Sequence, residues 1–489
     1  MKKAVVIGAG FSGLAAATEL SAKGLHVTLV EKHDQTGGRA RTFKTEGFTF
    51  DMGPSWYWMP DVFDDYFESY GKKVSDYYTL KRLDPSYRVF WSDDQWDIPA
   101  SQKELEQLFE SVEAGAGKQL RAFVLDAEKK YRIAMSDLVY KPGKSILEFV
   151  DARTVTAAFS LDLFTPIAKQ IRKYVQHPKL AQLLEFPSLF LGSTPQKIPA
   201  LYSIMNYADI ALGTWYPMGG MGEIAKAMTA LAQEKGVELK LNTSVLHIVD
   251  QGGRVSGLET DQGFIPADVV VAAGDYAHME SLLKPDARNY TSKYWSERTM
   301  APSALLFYLG INRKVKGLLH HNLFFDESFA DHAAEIYTHP AWPEKPLFYA
   351  CVPSITDPGV APEGSENIFL LVPLAPGLTP DNEEIRNRYL QKLLDRIEQH
   401  TGERLHENIV YQRSYAMSDF EKDYSALRGN AYGLANTLMQ TAILKPKIFN
   451  KRLSNLFYAG QLTVPGPGVP PSLISGKISA QLAQESLIA

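Results

Sequence analysis

The opening of the chain constrains it most. Ala4-Val5-Val6-Ile7 is a short apolar run, followed at once by Gly8-Ala9-Gly10-Phe11-Ser12-Gly13 and then by the small residues Ala15, Ala16 and Ala17. This order reads as a buried strand, a glycine turn and a helix over residues 11–23 that ends at Gly24. The first glycine permits the tight turn. The second lets a pyrophosphate approach the backbone, and the third lets helix and strand pack closely. The helix N-terminus adds N–H donors and a partial positive charge. Residues 26–31 (His-Val-Thr-Leu-Val-Glu) give a second strand. Glu31 closes it where a carboxylate takes a ribose hydroxyl pair. Gly8, Gly10, Gly13 and Glu31 therefore mark a dinucleotide site at the start of a parallel βαβ sheet. Lys2-Lys3 before an apolar run also resembles a secretion signal, but glycines at a strand–helix junction assign the segment to the folded protein.

This fingerprint serves NAD and FAD alike. Gly37-Gly38-Arg39-Ala40-Arg41-Thr42 follows Glu31 closely, and an arginine beside paired glycines can reach a pyrophosphate with bidentate hydrogen bonds. Asp51-Met52-Gly53-Pro54-Ser55 comes next. Near the C-terminus Leu456-Phe457-Tyr458-Ala459-Gly460-Gln461-Leu462-Thr463 leads into Val464-Pro465-Gly466-Pro467-Gly468-Val469-Pro470-Pro471. That pattern reads as a strand, a Gly/Pro turn and a helix from about Ser472. Such a turn can bring backbone N–H groups and a helix N-terminus up to a flavin ring. It could also be a rigid turn that caps a helix.

Composition narrows the class. The 489 residues carry 51 basic against 56 acidic side chains, a net charge of −5. A protein held to nucleic acid by counterion release would be more basic, so no nucleic-acid partner is expected. Apolar residues make up 45 % and charged residues 22 %, which excludes disorder of the whole chain. Scaling of folded surface with size lets roughly three quarters of the unfolded chain's surface be buried, so no covalent staple is needed. The single cysteine, Cys351, cannot form an intrachain disulfide and reads as a small buried residue in a reducing compartment. The uncharged stretch 453–476 is punctuated by Pro465, Pro467, Pro470 and Pro471, so it is not a lone lipid-facing helix.

Between the glycine-rich ends, a hairpin is expected over 85–100 with its turn at Asp93-Asp94. Helical, aromatic stretches are expected over 102–140 and 150–210, and a helix over 223–235. Strands are expected at 237–249, 254–260, 263–265, 267–274, 303–311 and 367–373. Residues 381–400 read as an amphipathic helix with Ile385, Tyr389, Leu393 and Ile397 on one face. Trp56, Tyr57, Trp58 and Met59 either line a tunnel or pack an ordinary core. Residues 155–175 (Val155, Phe159, Leu163, Phe164, Ile167, Ile171 and Tyr174 beside Lys169, Arg172 and Lys173) fit either an interfacial helix or a buried one interrupted at Pro166. His332, Glu335 and His339 share helical spacing but match no established ligand pattern, and no metal site is assigned. His320-His321 reads as a hydrogen-bonded surface pair.

Taken together, these motifs resemble the bacterial-type phytoene desaturases and their carotenoid-desaturase relatives, including hydroxycarotenoid 3,4-desaturases. The resemblance spans nearly the whole chain. It rests on the two N-terminal motifs, Ala267–Gly274 continuing to Asp275-Tyr276-Ala277-His278, the Asp357-Pro358 loop and the C-terminal Thr-x-Pro-Gly-x-Gly-Val-Pro turn. Here Gln461-Leu462 precede Thr463, and Val464 stands where the family usually has His or Gln. The implied fold is α/β: a Rossmann-like FAD-binding domain of the amine-oxidase-like type, assembled from separated segments (1–75, 215–290 and 440–489), with an inserted α+β substrate domain (76–214 and 291–439) that meets the membrane. The implied activity is FAD-dependent desaturation of an acyclic carotenoid, phytoene-type or at the 3,4 bond of a 1-hydroxycarotenoid, by hydride transfer to flavin. Alternatives within the fold are a carotenoid isomerase, an amine or porphyrinogen oxidase, and a non-catalytic prenyl-lipid carrier. The resemblance carries Gly8, Gly10, Gly13, Glu31, Gly38, Arg39 and Gly460 over as FAD positions. It adds Val245 through its backbone, and Pro54 and Ser55 near the ring. No catalytic residue is assigned. It implies a long apolar isoprenoid substrate, oxygen or a quinone as electron acceptor, and a cytoplasmic protein peripheral to the inner face of the cell membrane. In this family a histidine near residue 320 approaches the substrate channel.

Overall fold

The structure, a computed structural model, describes residues 1–145, 148 and 161–488. Five short parallel strands form the first sheet, in the order Leu456–Tyr458, Val269–Ala272, Lys3–Ile7, His26–Val30 and Glu238–Lys240. The central strand from Ala4 onward and its neighbour Val269–Ala272 are buried on both faces, which is why they read as continuous apolar runs rather than alternating ones. The helix Phe11–Ala22 crosses one face and packs along the C-terminal helix Val469–Ile488. This contact is possible because residue 476 is glycine: a Cβ there would stand 2.1 Å from the Ser12 carbonyl oxygen. The start, middle and end of the chain thus meet in one sheet.

A seven-stranded sheet forms the second layer. Its order is Ile409–Tyr415, Ser303–Ile311, Glu366–Leu374, Phe348–Cys351, His321–Phe324, Tyr87–Phe90 and Gln95–Ile98. All neighbours are antiparallel except His321–Phe324 with Tyr87–Phe90. The helix Glu383–Thr401 starts at an Asn382 side-chain cap, ends before Gly402 (φ 73°), and buries Ile385, Tyr389, Leu393 and Ile397 against one face. Strand alternation then sorts the central strand: Leu305, Phe307 and Leu309 face that helix, while Ala304 and Leu306 face the other way, into the main cavity.

The expected hairpin pairs Tyr87–Phe90 with Gln95–Ile98. The expected single strand over 237–249 is two strands in different sheets. Glu238–Lys240 edges the parallel sheet, and Val245–Gln251 joins Arg254–Thr260 and Gly263–Pro266 in a separate antiparallel one. Asn242, held at φ 49°, lies in the bend between them; a left-handed residue cannot continue a strand. The helix expected over 155–175, interrupted at Pro166, is described only from residue 161 and is shorter than expected there. Val155 and Phe159 lie outside the described residues. Residues 161–164 form turns, and a short helix runs only over Ile167–Ile171 after Pro166. Ile167 and Ile171 are buried, whereas Phe164 is 85 % exposed. No helix of the described residues is long and apolar enough to cross a membrane.

Candidate active site: a nucleotide cradle opening into an apolar tunnel

One cavity of about 1210 Å³ runs from the glycine turn into the space between the two sheets. Ligand pockets for drug-sized molecules occupy about 300–1,000 Å³, so this one has room for a nucleotide and a second ligand. At the nucleotide end it is walled by Gly8, Gly10, Glu31, Gly38, Arg39, Val245, Asp275 and His278. At the other end it is walled by apolar side chains, among them Trp58, Met205, Leu306, Leu323, Phe325, Ala333, Ile336 and Leu371. Pro54, Ser55 and the 464–472 turn lie on the same wall.

Each glycine of the cradle has its own reason. Gly8 (φ 93°) donates its N–H to the Val30 carbonyl at 2.7 Å and turns the chain. A Cβ on Gly13 would lie 1.8 Å from the Gly8 carbonyl oxygen, so Gly13 is fixed by helix–strand contact. Gly10 differs: its φ of −75° suits any residue, and a Cβ there would meet nothing nearer than Gly38 Cα at 3.9 Å. No protein packing requires glycine at this point, so the vacant space is a cradle for an approaching ligand. The Glu31 carboxylate accepts from the Ala9 N–H at 2.7 Å and the His33 N–H at 3.0 Å, which holds it at the rim.

Arg39 reaches into the same wall. One Nη donates to the Asn430 carbonyl at 3.3 Å, the guanidinium lies 5.0 Å from the Tyr424 ring centre, and Nε is buried without a partner among the described residues. Burial lowers its pKa, and the nearby Asp275 carboxylate opposes that. An arginine with a spare buried donor beside a glycine cradle is the donor set that a pyrophosphate uses. The residues present therefore fit a dinucleotide. Arg41 steadies the loop by pairing with Asp423 at 2.7 Å. Gly460 (φ 115°) donates its N–H to Ser475 Oγ at 3.0 Å, tying the last strand to the C-terminal helix.

All the expected cofactor positions except Gly13 line the cavity, and Gly13 packs behind it. Of the aromatic run, Trp56, Trp58 and Met59 line the cavity, while Tyr57 turns into the core and meets the Tyr78 hydroxyl at 2.9 Å. His320-His321 is not a surface pair: the two residues are 4 % and 0 % exposed, because the strand that His321 begins, directly after His320, is interior to the seven-stranded sheet. His332 accepts the Leu347 N–H on Nδ1 and bonds the Pro373 carbonyl through Nε2; it is a structural pin between strand and helix.

Sequence reasoning missed two groups. Asp209 is buried behind the cavity-lining Trp58, where its oxygens accept from Thr214 Oγ1 and the Tyr87 hydroxyl, both at 3.0 Å; Trp58 Nε1 in turn donates to Thr214. Burial pushes the Asp209 carboxyl up to about 7. Lys445 is also buried, its Nζ without a partner among the described residues, and burial lowers it to about 7. It stands behind Gly466, where a Cβ would lie 3.4 Å from Nζ. Neither group has a local motif; both sites exist only where distant segments meet.

The fold and the cradle define a flavin-dependent oxidoreductase. Residues 11–483 match the family described as flavin containing amine oxidoreductase, and the chain belongs to it. Over 487 residues it is 42 % identical to a carotenoid 3,4-desaturase of Haloarcula japonica, covering 99 % of this chain and 98 % of the relative. It is 32 % identical to a 4,4'-diapophytoene desaturase of Staphylococcus haemolyticus (99 % and 98 % covered) and 32 % identical to a zeta-carotene-forming phytoene desaturase of Myxococcus xanthus (98 % and 93 % covered). Among solved structures, an oxidoreductase from Methanosarcina mazei superposes with a TM-score of 0.64 at 14 % identity, covering 97 % of this chain and 98 % of the other. Cyclohexylamine oxidase from Brevibacterium oxydans gives 0.59 at 14 % identity, with 99 % of each covered. These two likenesses concern the fold.

Proposed function

We propose that this chain is an FAD-dependent carotenoid desaturase that takes an acyclic polyene, with a 1-hydroxycarotenoid desaturated at the 3,4 bond as the leading substrate. The supporting observation is the continuity of one cavity from the nucleotide cradle into the apolar tunnel. The 42 % identity to a carotenoid 3,4-desaturase favours that bond over phytoene-type positions.

In this reading Gly8, Gly10, Gly13, Glu31, Gly38, Arg39, Val245 and Gly460 hold FAD, and Pro54 and Ser55 border its ring. Segments 1–75, 215–290 and 440–489 form the FAD-binding unit; 76–214 and 291–439 form the substrate unit. When bound, FAD supplies a two-electron acceptor for an allylic C–H. The apolar walls hold the polyene extended and keep water from the reacting carbons. Delocalisation along the polyene stabilises developing positive charge, so loss of the second hydrogen as a proton requires no strong protein base.

Leu163 and the exposed Phe164 stand at the cavity wall. They form a contact with membrane lipid, through which a waxy substrate enters a peripheral enzyme. A membrane quinone or oxygen then takes the electrons. The test is incubation of flavin-loaded protein with liposomes carrying a 1-hydroxycarotenoid or phytoene, read by absorption and mass. A red-shifted product lighter by two hydrogens supports the reading. Unchanged mass with both substrates, despite bound flavin, overturns it.

A further inference from the structure

Behind the cavity wall, the strands His321–Phe324 and Phe348–Cys351 pair so that His321 stands directly opposite Cys351. His320 immediately precedes the first of them. All three residues are buried: His320 4 %, His321 0 % and Cys351 2 % exposed. One ring nitrogen of each histidine and the cysteine sulfur lie within 4.8 Å of one another.

The hydrogen bonds around the rings are unequal. His320 Nδ1 meets Thr356 Oγ1 at 2.8 Å, and His321 Nδ1 meets the Tyr349 hydroxyl at 2.6 Å. Nε2 of both rings is buried with no partner among the described residues. A buried polar atom left unbonded costs free energy, and each of the two rings carries one in a cluster that also holds a thiol. Each hydroxyl oxygen fixes its ring's orientation; with Nδ1–H donating to that oxygen, Nε2 carries the lone pair, the arrangement that supports histidine ligands to metals. Trp56 stacks on His321 at 4.1 Å, with ring planes 14° apart, and holds that ring from its other side.

We propose that His320, His321 and Cys351 form a buried binding site for one zinc ion. Two imidazole nitrogens and a thiolate are the donor types zinc takes, and the absence of oxygen ligands among the three disfavours magnesium and calcium. Donors bound at about 2.0–2.3 Å in a tetrahedral shell lie about 3.3–3.6 Å apart, so closure from a spacing within 4.8 Å needs the donor atoms to move together by about 1 Å. A void of about 20 Å³, lined by His320, Cys351, Asp51 and Tyr216, adjoins the site. It has space for one water, which would complete a four-coordinate shell. Zinc takes histidine as the neutral imidazole and cysteine as the thiolate. Zinc therefore displaces one proton, from sulfur, as the Zn–S bond forms. The ion would tie the two strands to the loop before them and fix Trp56, whose other surroundings include the main cavity.

The experiment is elemental analysis of flavin-loaded protein produced with added zinc and passed through gel filtration. The expected result is about one zinc per chain, reduced at least tenfold in Cys351→Ala and in His320→Ala, and unchanged in His406→Ala, a control at a half-buried histidine that pairs with Asp395. Should the variants not fold, cobalt replacement in the native sequence decides. A thiolate-to-cobalt charge-transfer absorption supports the site. A folded, flavin-loaded protein that carries no zinc and takes up neither Zn²⁺ nor Co²⁺ overturns it. Full zinc content in folded Cys351→Ala does the same.

Discussion

Gly10 and Gly38 face each other across the cradle: a Cβ on Gly38 would stand 3.2 Å from Gly10 Cα, and one on Gly10 would find only Gly38 within 4 Å. The two glycine motifs, separate in sequence, thus leave one shared space. Gly10→Val should fold with a thermal midpoint near that of the unmodified apoprotein, yet lose flavin on gel filtration. Gly13→Ala, whose Cβ would collide with the Gly8 carbonyl, should instead lose stability by about 1–3 kcal/mol or more. Denaturant unfolding and the flavin-to-protein absorbance ratio separate the two. Equal flavin content in Gly10→Val and the native sequence would sink the assignment.

Arg39 provides the second test. Its Nε is a buried donor without a partner among the described residues. Arg39→Lys keeps the charge but loses the planar fork. Flavin retention should fall at least tenfold, close to the fall in Arg39→Ala; full rescue by lysine would show that only charge matters there.

The tunnel can be narrowed without touching the cradle. Ala333 lies on the cavity wall, in the helix Phe329–Tyr337. Ala333→Trp should leave flavin content unchanged and cut turnover of a long carotenoid at least tenfold. Unaltered turnover would place the substrate elsewhere.

Asp209 predicts a pH dependence. Its folded carboxyl titrates near 7 because of burial, against an ordinary 3.8. Between those values the folded protein holds a proton that the unfolded chain lacks. Stability from this group is therefore full below about 4 and is lost as pH rises through 7. Asp209→Asn imitates the protonated form. It should raise stability by about 1 kcal/mol or more at pH 8 and leave it unchanged near pH 4, measured by denaturant unfolding at both values.

Phe164 is large, apolar and 85 % exposed. Phe164→Glu should weaken flotation with liposomes several-fold while thermal stability stays the same. Undiminished flotation would move the lipid contact to another surface.

The cradle was legible because its chemistry is local. Gly8, Gly10, Gly13 and Glu31 act within one βαβ unit, and their spacing follows from the geometry of a strand, a turn and a helix. Gly38 and Arg39 follow soon after. The amphipathic helix over Glu383–Thr401 was legible for the same reason, since a 3.6-residue period fixes which side is apolar. Only the tertiary structure decided the rest. The parallel sheet takes its strands from both ends and the middle of the chain, so no window of sequence contains it. His320 and His321 looked exposed because a pair of polar residues usually is. Their burial comes from the strands of residues 87–90 and 348–351, which flank the histidine strand on its two sides. Asp209 and Lys445 have shifted proton affinities because segments distant in sequence exclude water from them. Sequence alone determines the local geometry that grips a nucleotide; burial and the meeting of remote side chains belong to the assembled fold, because they depend on neighbours that the chain supplies from elsewhere.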